Sequence, residues 1–144
     1  MTQFTWAAGI TIGMVSMWLG AAVSAQDAPR ITHIDDAASM EIAPMDTPGV
    51  NAFLQDVVGA DNPDKPITCG FFRLEASAEP LVYTYDYDET KLILEGEITV
   101  SDGTNSFDAT EGDVLLLPKG ATVTFTTKTA GKAYVCGARQ RDTA

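Results

Sequence analysis

Phenols, a carboxylate and an ammonium crowd into residues 83–91, YTYDYDETK. Side chains alternate along a strand, so Glu89 and Lys91 share a face if the strand is regular. On an inward face they would place opposite charges in one pocket, and pairing is the physical way to keep both there. Such a pocket could hold a small polar molecule through Tyr83, Tyr85, Glu89 and Lys91. It could also do acid–base work, a tyrosine or Glu89 moving a proton while Lys91 stabilises developing negative charge. The structural alternative leaves Lys91 in solvent at an edge and Glu89 capping a turn. Tyr83, Tyr85 and Tyr87 share parity with Glu89 only if no loop intervenes, and Asp86 and Asp88 suggest one. Tyrosines on strands are more often core residues with the hydroxyl at the rim. No residue is assigned a catalytic role from sequence.

Metal chemistry lacks its ligands. The only histidine, His33, is far from this stretch, and reads as a surface residue. Two cysteines, Cys69 and Cys136, are too few for a site. They are candidates for a disulfide, or alternatively for two buried thiols on neighbouring strands. Phenolate ligation by Tyr83 and Tyr85 would need a pKa of about 10 to fall by several units. The expectation is no metal and no cofactor.

The elements that must position these groups read as strands from Thr68 onward. CGFFRLEA, LVYTYDYD, KLILEGEITV, VLLLP, ATVTFTT and AYVCGA are β-rich runs broken by turn residues. Asp102-Gly103 supplies the positive φ of a tight hairpin turn. KLILEGEITV is bent at Gly96, and its other parity set, Leu92, Leu94, Ile98 and Val100, is apolar and also calls for burial. Short, evenly spaced strands without helical periodicity predict an all-β sandwich or barrel. Upstream, residues 26–67 read as an extended arm broken by Pro44 and Pro48. Within it Asn51–Val58 is left open between a short helical turn and a strand. The barrel is expected over 68–138 and a polar tail over 139–144, with fraying from Gly137 onward.

The turn framework carries a family resemblance. Tyr83-x-Tyr85, Glu89 and Gly96 keep the spacing of a first motif whose usual residues are His-x-His, Glu and Gly. Gly112, Pro118 and Gly120 keep that of a second motif, with Val123 in its histidine slot and Thr127 in its asparagine slot. Ser77 stands where the framework opens on glycine. The chain thus resembles the cupins, and the run YDE…LEGE…GDV…PKG resembles the ethanolamine-utilisation protein Q type, which also lacks the histidine set. The resemblance implies a double-stranded β-helix, that is a jelly-roll β-barrel, with a pocket inside it and a homodimer. Val123 and Phe125 would then line an apolar barrel around the polar groups. A third reading is a dimeric interaction protein whose barrel is filled.

Residues 1–25 stand apart. Trp6–Ala22 is apolar and uncharged, and Val23-Ser24-Ala25 offers small residues where a signal peptidase reads. The expectation is a signal peptide cleaved after Ala25 and a secreted or periplasmic protein free of the membrane. The alternative is an uncleaved anchor. All 20 acidic and 9 basic residues follow Ala25, so the remainder carries the whole net charge of −11. That surface repels phosphate backbones and argues against nucleic acid as a partner. N-terminal sequencing of the exported protein should begin at Gln26. A membrane-held product that keeps Met1 would overturn the cleavage.

Overall fold

Alternation of buried and exposed residues organises the chain from Ala52 to Gly137. The computed structural model describes residues 29–60 and 62–144. The expected signal peptide and its cleavage point lie outside the described residues. Thr32–Ala144 form one compact unit. Its strands are β1 (Ala52–Ala60), β2 (Ile67–Glu75), β3 (Leu81–Thr84), β4 (Glu89–Ser101), β5 (Ser106–Thr110), β6 (Val114–Leu117), β7 (Thr122–Thr126) and β8 (Ala130–Gly137). Among the described residues a 3-10 turn, Ala37–Ser39, precedes them.

All the pairings are antiparallel. One face runs β1-β2-β8-β4-β6, and the other joins β5, the far half of β4, β7 and β3. The long strand β4 therefore belongs to both faces and curls the sheet into the expected jelly roll. Its bend has a local cause. A register shift falls between Ile93 and Glu95, and Gly96 follows with φ 68°. A Cβ at Gly96 would run into the carbonyl oxygen of Ala130. Only glycine combines that backbone with that approach.

The bulge also changes parity. Glu89, Lys91 and Ile93 point inward, and beyond the bend Ile98 and Val100 do so. The expected apolar face of Leu92, Leu94, Ile98 and Val100 is therefore split. Leu92 is exposed on the outside, while Ile98 and Val100 join the core with Phe72, Leu74, Leu81, Phe125 and Val135. Each large apolar side chain buried in this way contributes about 1.5–3 kcal/mol.

The sheet begins ahead of the expected boundary at Thr68. Residues 51–58, left open between helix and strand, lie within or beside β1, which pairs along β2 from Ala52↔Leu74 to Ala60↔Ile67. A bulge between Asp56 and Val58 breaks the period-two signal, so the sequence carried no clean alternation there. Residues of the arm lie against this edge: Met45 N–H donates to Ala52 O and Leu54 N–H to Ala43 O, both at 2.9 Å. Cys69 and Cys136 face each other across β2 and β8 and are bonded, with Cα atoms 4.1 Å apart.

The polar tail, expected to fray, makes specific contacts with the barrel. Arg139 crosses to the β1 bulge, where its guanidinium donates to both Asp56 oxygens at 2.6 and 2.8 Å. Both side chains are about 96 % buried, at 3 % and 4 % exposure. Asp142 N–H donates to Asp56 Oδ2 at 2.8 Å, and Arg141 Nη2 to Val57 O at 2.7 Å. Thr68 Oγ1 donates to Arg139 O at 2.9 Å. A bidentate, buried pair of this kind is the geometry in which an ion pair is held firmly.

Burial alone would raise the Asp56 carboxyl. The hydrogen bonds from Arg139 and the Asp142 amide, with the charges of Arg139 and Arg141, outweigh it and hold the group below its ordinary value of 3.8. A lowered carboxylate contributes stability above its unfolded pKa and loses it as pH falls through the folded one. Asp56→Asn should thus destabilise the protein near neutrality by about 3–5 kcal/mol, because Arg139 is left as a buried unpaired cation. The gap between parent and variant should close as denaturation is repeated at pH values below the ordinary carboxylate range. A gap that stays constant down to full acid unfolding would show that Asp56 does not titrate as the latch requires.

Candidate functional site

The site is built where β3 leads into β4. Tyr83 pairs with Val123 and Leu81 with Phe125 in the β3–β7 ladder. Tyr85 continues the extended path, its N–H donating to Ala121 O at 2.9 Å and its carbonyl accepting from Gly120 N–H at 2.7 Å. A bend at Asp86–Tyr87 follows, as the aspartates suggested, but it preserves the inward parity of the tyrosines. Asp88 fixes the bend, with Oδ1 accepting from the backbone N–H of exposed Lys119 at 2.8 Å. The Lys119 amide, in the Pro-Lys-Gly turn, is thus a framework element. His33 is exposed, as expected.

Three tyrosine rings form an edge-to-face stack. Tyr83 and Tyr85 have centroids 4.8 Å apart, and Tyr85 and Tyr87 5.6 Å. Such pairs contribute about 0.5–1.5 kcal/mol each beyond burial. Beneath them Lys91 Nζ lies 2.9 Å from Glu89 Oε1, with both side chains 4 % exposed. Tyr85 O–H donates to the same oxygen at 2.9 Å. Lys91 Nζ sits 4.3 Å above the Phe72 ring and 5.6 Å from that of Phe125. The structure therefore brings Tyr83, Tyr85, Glu89, Lys91 and Phe125 around one cavity of about 30 Å³, with Tyr87, Phe72 and Leu81 also in its wall. Val123 differs from the expectation: it is buried at 2 % exposure, but in the packing of the core rather than at the cavity. Its short side chain is used up in contact with the neighbouring core residues.

Met45, Leu54, Leu81, Tyr83 and Ala144 border both this cavity and an outer groove of about 470 Å³. The groove is lined by Asp46, Asp56 and Asp142 and by no lysine or arginine.

Burial, then the charge and hydrogen bond of Glu89, push the Tyr85 phenol far above its ordinary value. Burial, then the hydrogen bond with Tyr83 and the Glu89 charge, push Tyr87 the same way. Both remain protonated donors. Burial drives Lys91 below the ordinary lysine range, Glu89 opposes that, and the positive charge of Arg139 adds to it. These directions bear on whether the barrel suits a metal. The donor set offers one carboxylate, already neutralised by an ammonium at 2.9 Å, and phenols held in their protonated form. Among the described residues no three His, Cys, Asp or Glu side chains cluster as ligands. The residues do not fit the metal that the histidine-bearing members of the fold hold.

Tyr87, Phe72 and Arg139 belong to the site's surroundings but carried weaker sequence signals. Tyr87 continues the Tyr-x-Tyr alternation, and that was its only sign. Arg139 lies over the Tyr87 ring at 5.6 Å and finds Asp56 across 83 residues of sequence, a pairing no local pattern announces.

Comparison with known proteins agrees with this fold. Residues 25–137 match the family described as ethanolamine utilisation protein EutQ. A relative from Escherichia coli K12, named acetate kinase EutQ, is 34 % identical over 79 residues, covering 55 % of this chain and 33 % of that protein. The chain thus spans about a third of that relative's length. The crystal structure of an ethanolamine utilization protein Q from Salmonella typhimurium LT2 superposes with TM-score 0.63 at 26 % identity, over 72 % of this chain and 85 % of that one. The cupin domain of Schizosaccharomyces pombe Cnp3 gives 0.58 at 17 % identity, over 72 % and 67 %, a likeness of fold.

Lys91→Met should strand Glu89 as a buried unpaired acid and cost about 3–5 kcal/mol. The double change Glu89→Gln with Lys91→Met should recover much of that loss in denaturant unfolding, since both charges leave together. Single variants that unfold like the parent would mean the pair is solvated, where such pairs contribute about 0–1 kcal/mol.

Proposed function

The chain belongs to the family of the ethanolamine utilisation protein EutQ, and we propose that its barrel binds a small, uncharged polar molecule without a metal. The observation that carries the reading is the Tyr85–Glu89–Lys91 chain of hydrogen bonds around an internal cavity. Apolar walls with a few converging polar groups are the composition of a small-ligand site. The charges of Glu89 and Lys91 balance, so an ionic guest would arrive without a counter-charge. The cavity of about 30 Å³ limits the guest to a few heavy atoms unless the wall yields. Phosphoryl transfer, which the name of the E. coli relative states for that protein, would bring a polyanion to a groove lined by aspartates.

A second reading is supported by Lys91, whose amine is held below its ordinary range by burial. In it a tyrosine or Glu89 moves a proton while Lys91, in its ammonium form, stabilises developing negative charge. The proposal extends to location and partner. The apolar segment ahead of Ala25 and the Cys69–Cys136 bond support export to an oxidising compartment. Exposed Leu92, Val114 and Leu116 on the outer side of β4 and β6 support a second copy of the chain as partner.

The test is a thermal-shift screen with short alcohols, diols and amides. A ligand at a hundredfold its Kd should add about 2.7 kcal/mol, a rise of several degrees. The rise should be lost in Tyr85→Phe. If no compound raises the midpoint, the barrel is a filled structural core and the interaction-protein reading replaces this one.

A further inference from the structure

We infer that Lys91 is a nucleophile that condenses with a small neutral aldehyde in the barrel cavity to form an imine. The inference rests on the reading of the barrel as a small-molecule site and adds the chemistry of its guest. Three observations support it. First, among the described residues the only polar partner of Lys91 Nζ is Glu89 Oε1, at 2.9 Å. Its other near neighbours are the rings of Phe72 and Phe125, which keep water from the amine. Second, Glu89 Oε1 is engaged twice, by Lys91 and by Tyr85 O–H, while Oε2 accepts no hydrogen bond from any described residue. One carboxylate oxygen is thus fixed and the other is left to take and return protons. Third, Lys91 and Glu89 both border the cavity, whose wall is shared with the outer groove. An ion pair with only a structural role needs neither space at its amine nor a free oxygen beside it. Burial also biases the amine toward its neutral, nucleophilic form.

The step balances within the site. Glu89 takes one proton from the Lys91 ammonium across the 2.9 Å contact and frees the lone pair. The nitrogen attacks the carbonyl carbon, the C–N bond forms, and the carbonyl π electrons move to oxygen. That oxygen receives the proton held by Glu89. A second proton passes from nitrogen through Glu89 to the same oxygen, the C–O bond breaks, and water leaves. The product is a protonated imine, so one positive charge on nitrogen still faces one carboxylate. The buried pair is conserved, and no co-reactant is needed. Tyr85 acts as a positioning residue, holding Oε1 as a protonated donor. The guest is neutral because Asp46 and Asp142 line a groove that has no lysine or arginine in its wall, and the Glu89–Lys91 pair carries no net charge to receive an anionic keto acid.

The full chain would be incubated with propanal and cyanoborohydride near pH 7, digested, and each lysine read by mass spectrometry. Lys65, Lys119 and Lys128 are exposed and serve as internal references. The expected result is initial labelling of Lys91 faster than theirs, since burial favours its neutral amine while the exposed lysines stay protonated in water. Glyoxylate, an anionic aldehyde, should lose that advantage; Glu89→Gln removes the charge that holds the Lys91 proton, yet propanal labelling should slow because no carboxylate is left to pass protons to the carbonyl oxygen. Tyr85→Phe, which removes only a hydroxyl, is the second variant and should slow Lys91 labelling while the exposed lysines react as before. Thermal shift with 1-propanol, which has no carbonyl, separates the two ideas. If 1-propanol and propanal both raise the midpoint but only exposed lysines are labelled, imine formation is overturned and the binding reading stands. If neither raises it and Lys91 stays unlabelled, both fall. Equal labelling by glyoxylate and propanal overturns the neutral guest.

Discussion

Two opposite charges 2.9 Å apart inside a β-barrel set the terms for everything around them. An unpaired carboxylate or ammonium in that position would cost several kcal/mol, so strand β4 must stay regular from Glu89 to Lys91 to keep both on one face. It does so because it is flanked on both sides there: Glu89 and Lys91 sit opposite Leu117 and Leu115 on β6 and opposite Gly137 and Val135 on β8. Gly137 leaves space that the Tyr87 ring approaches, since a Cβ there would lie 2.9 Å from its Cε2. Only past Ile93 does the strand bulge, bend at Gly96 and change parity. The polar end of β4 thus serves the cavity and its far end serves the apolar core, within thirteen residues of one strand.

The parts of this arrangement legible in the sequence are those set by local periodicity and turn chemistry. Glu89 and Lys91 share parity whatever the fold does, and Gly96, Gly112 and Gly120 mark backbone positions with positive φ that the structure contains. What escaped was set by bulges and by distance. A bulge in β1 hid a nine-residue strand, and a bulge in β4 split an apolar set that looked continuous. Val123 and Phe125 share a face, yet only the longer side chain borders the cavity, and side-chain reach is not written in alternation. The Asp56–Arg139 latch joins a strand that periodicity missed to a tail that composition marked as polar. Neither end of that pairing had a local signal.

Within the cupin fold, the lysine answers a physical problem that imidazoles and a metal solve elsewhere. A carboxylate inside the barrel needs a cation. Here the chain supplies one covalently, two residues along the same strand, and the phenols take the neighbouring positions as neutral donors. The consequence for chemistry is definite. An ammonium offers directional protons and, once deprotonated, a lone pair. It offers no open coordination positions. On the proposed reading, the chemistry open to this pair is proton transfer and carbon–nitrogen bond formation.

The charge at the amine also depends on residues outside the cavity. Arg139 lowers the affinity of Lys91 for its proton, and Arg139 is held where it is by Asp56. It lies over Tyr87, whose ring packs against Tyr85, and Tyr85 donates to Glu89. A continuous line of contacts thus runs from the tail, through the tyrosine stack, to the carboxylate beside the amine. If Arg139 moved into solvent, one of the two influences that favour neutral Lys91 would be lost, while the Glu89 charge that opposes them would remain. The balance at Lys91 is therefore set partly by a latch on the far side of the stack. Residues 139–144 act as part of the electrostatic construction of the barrel, not as an appendage to it.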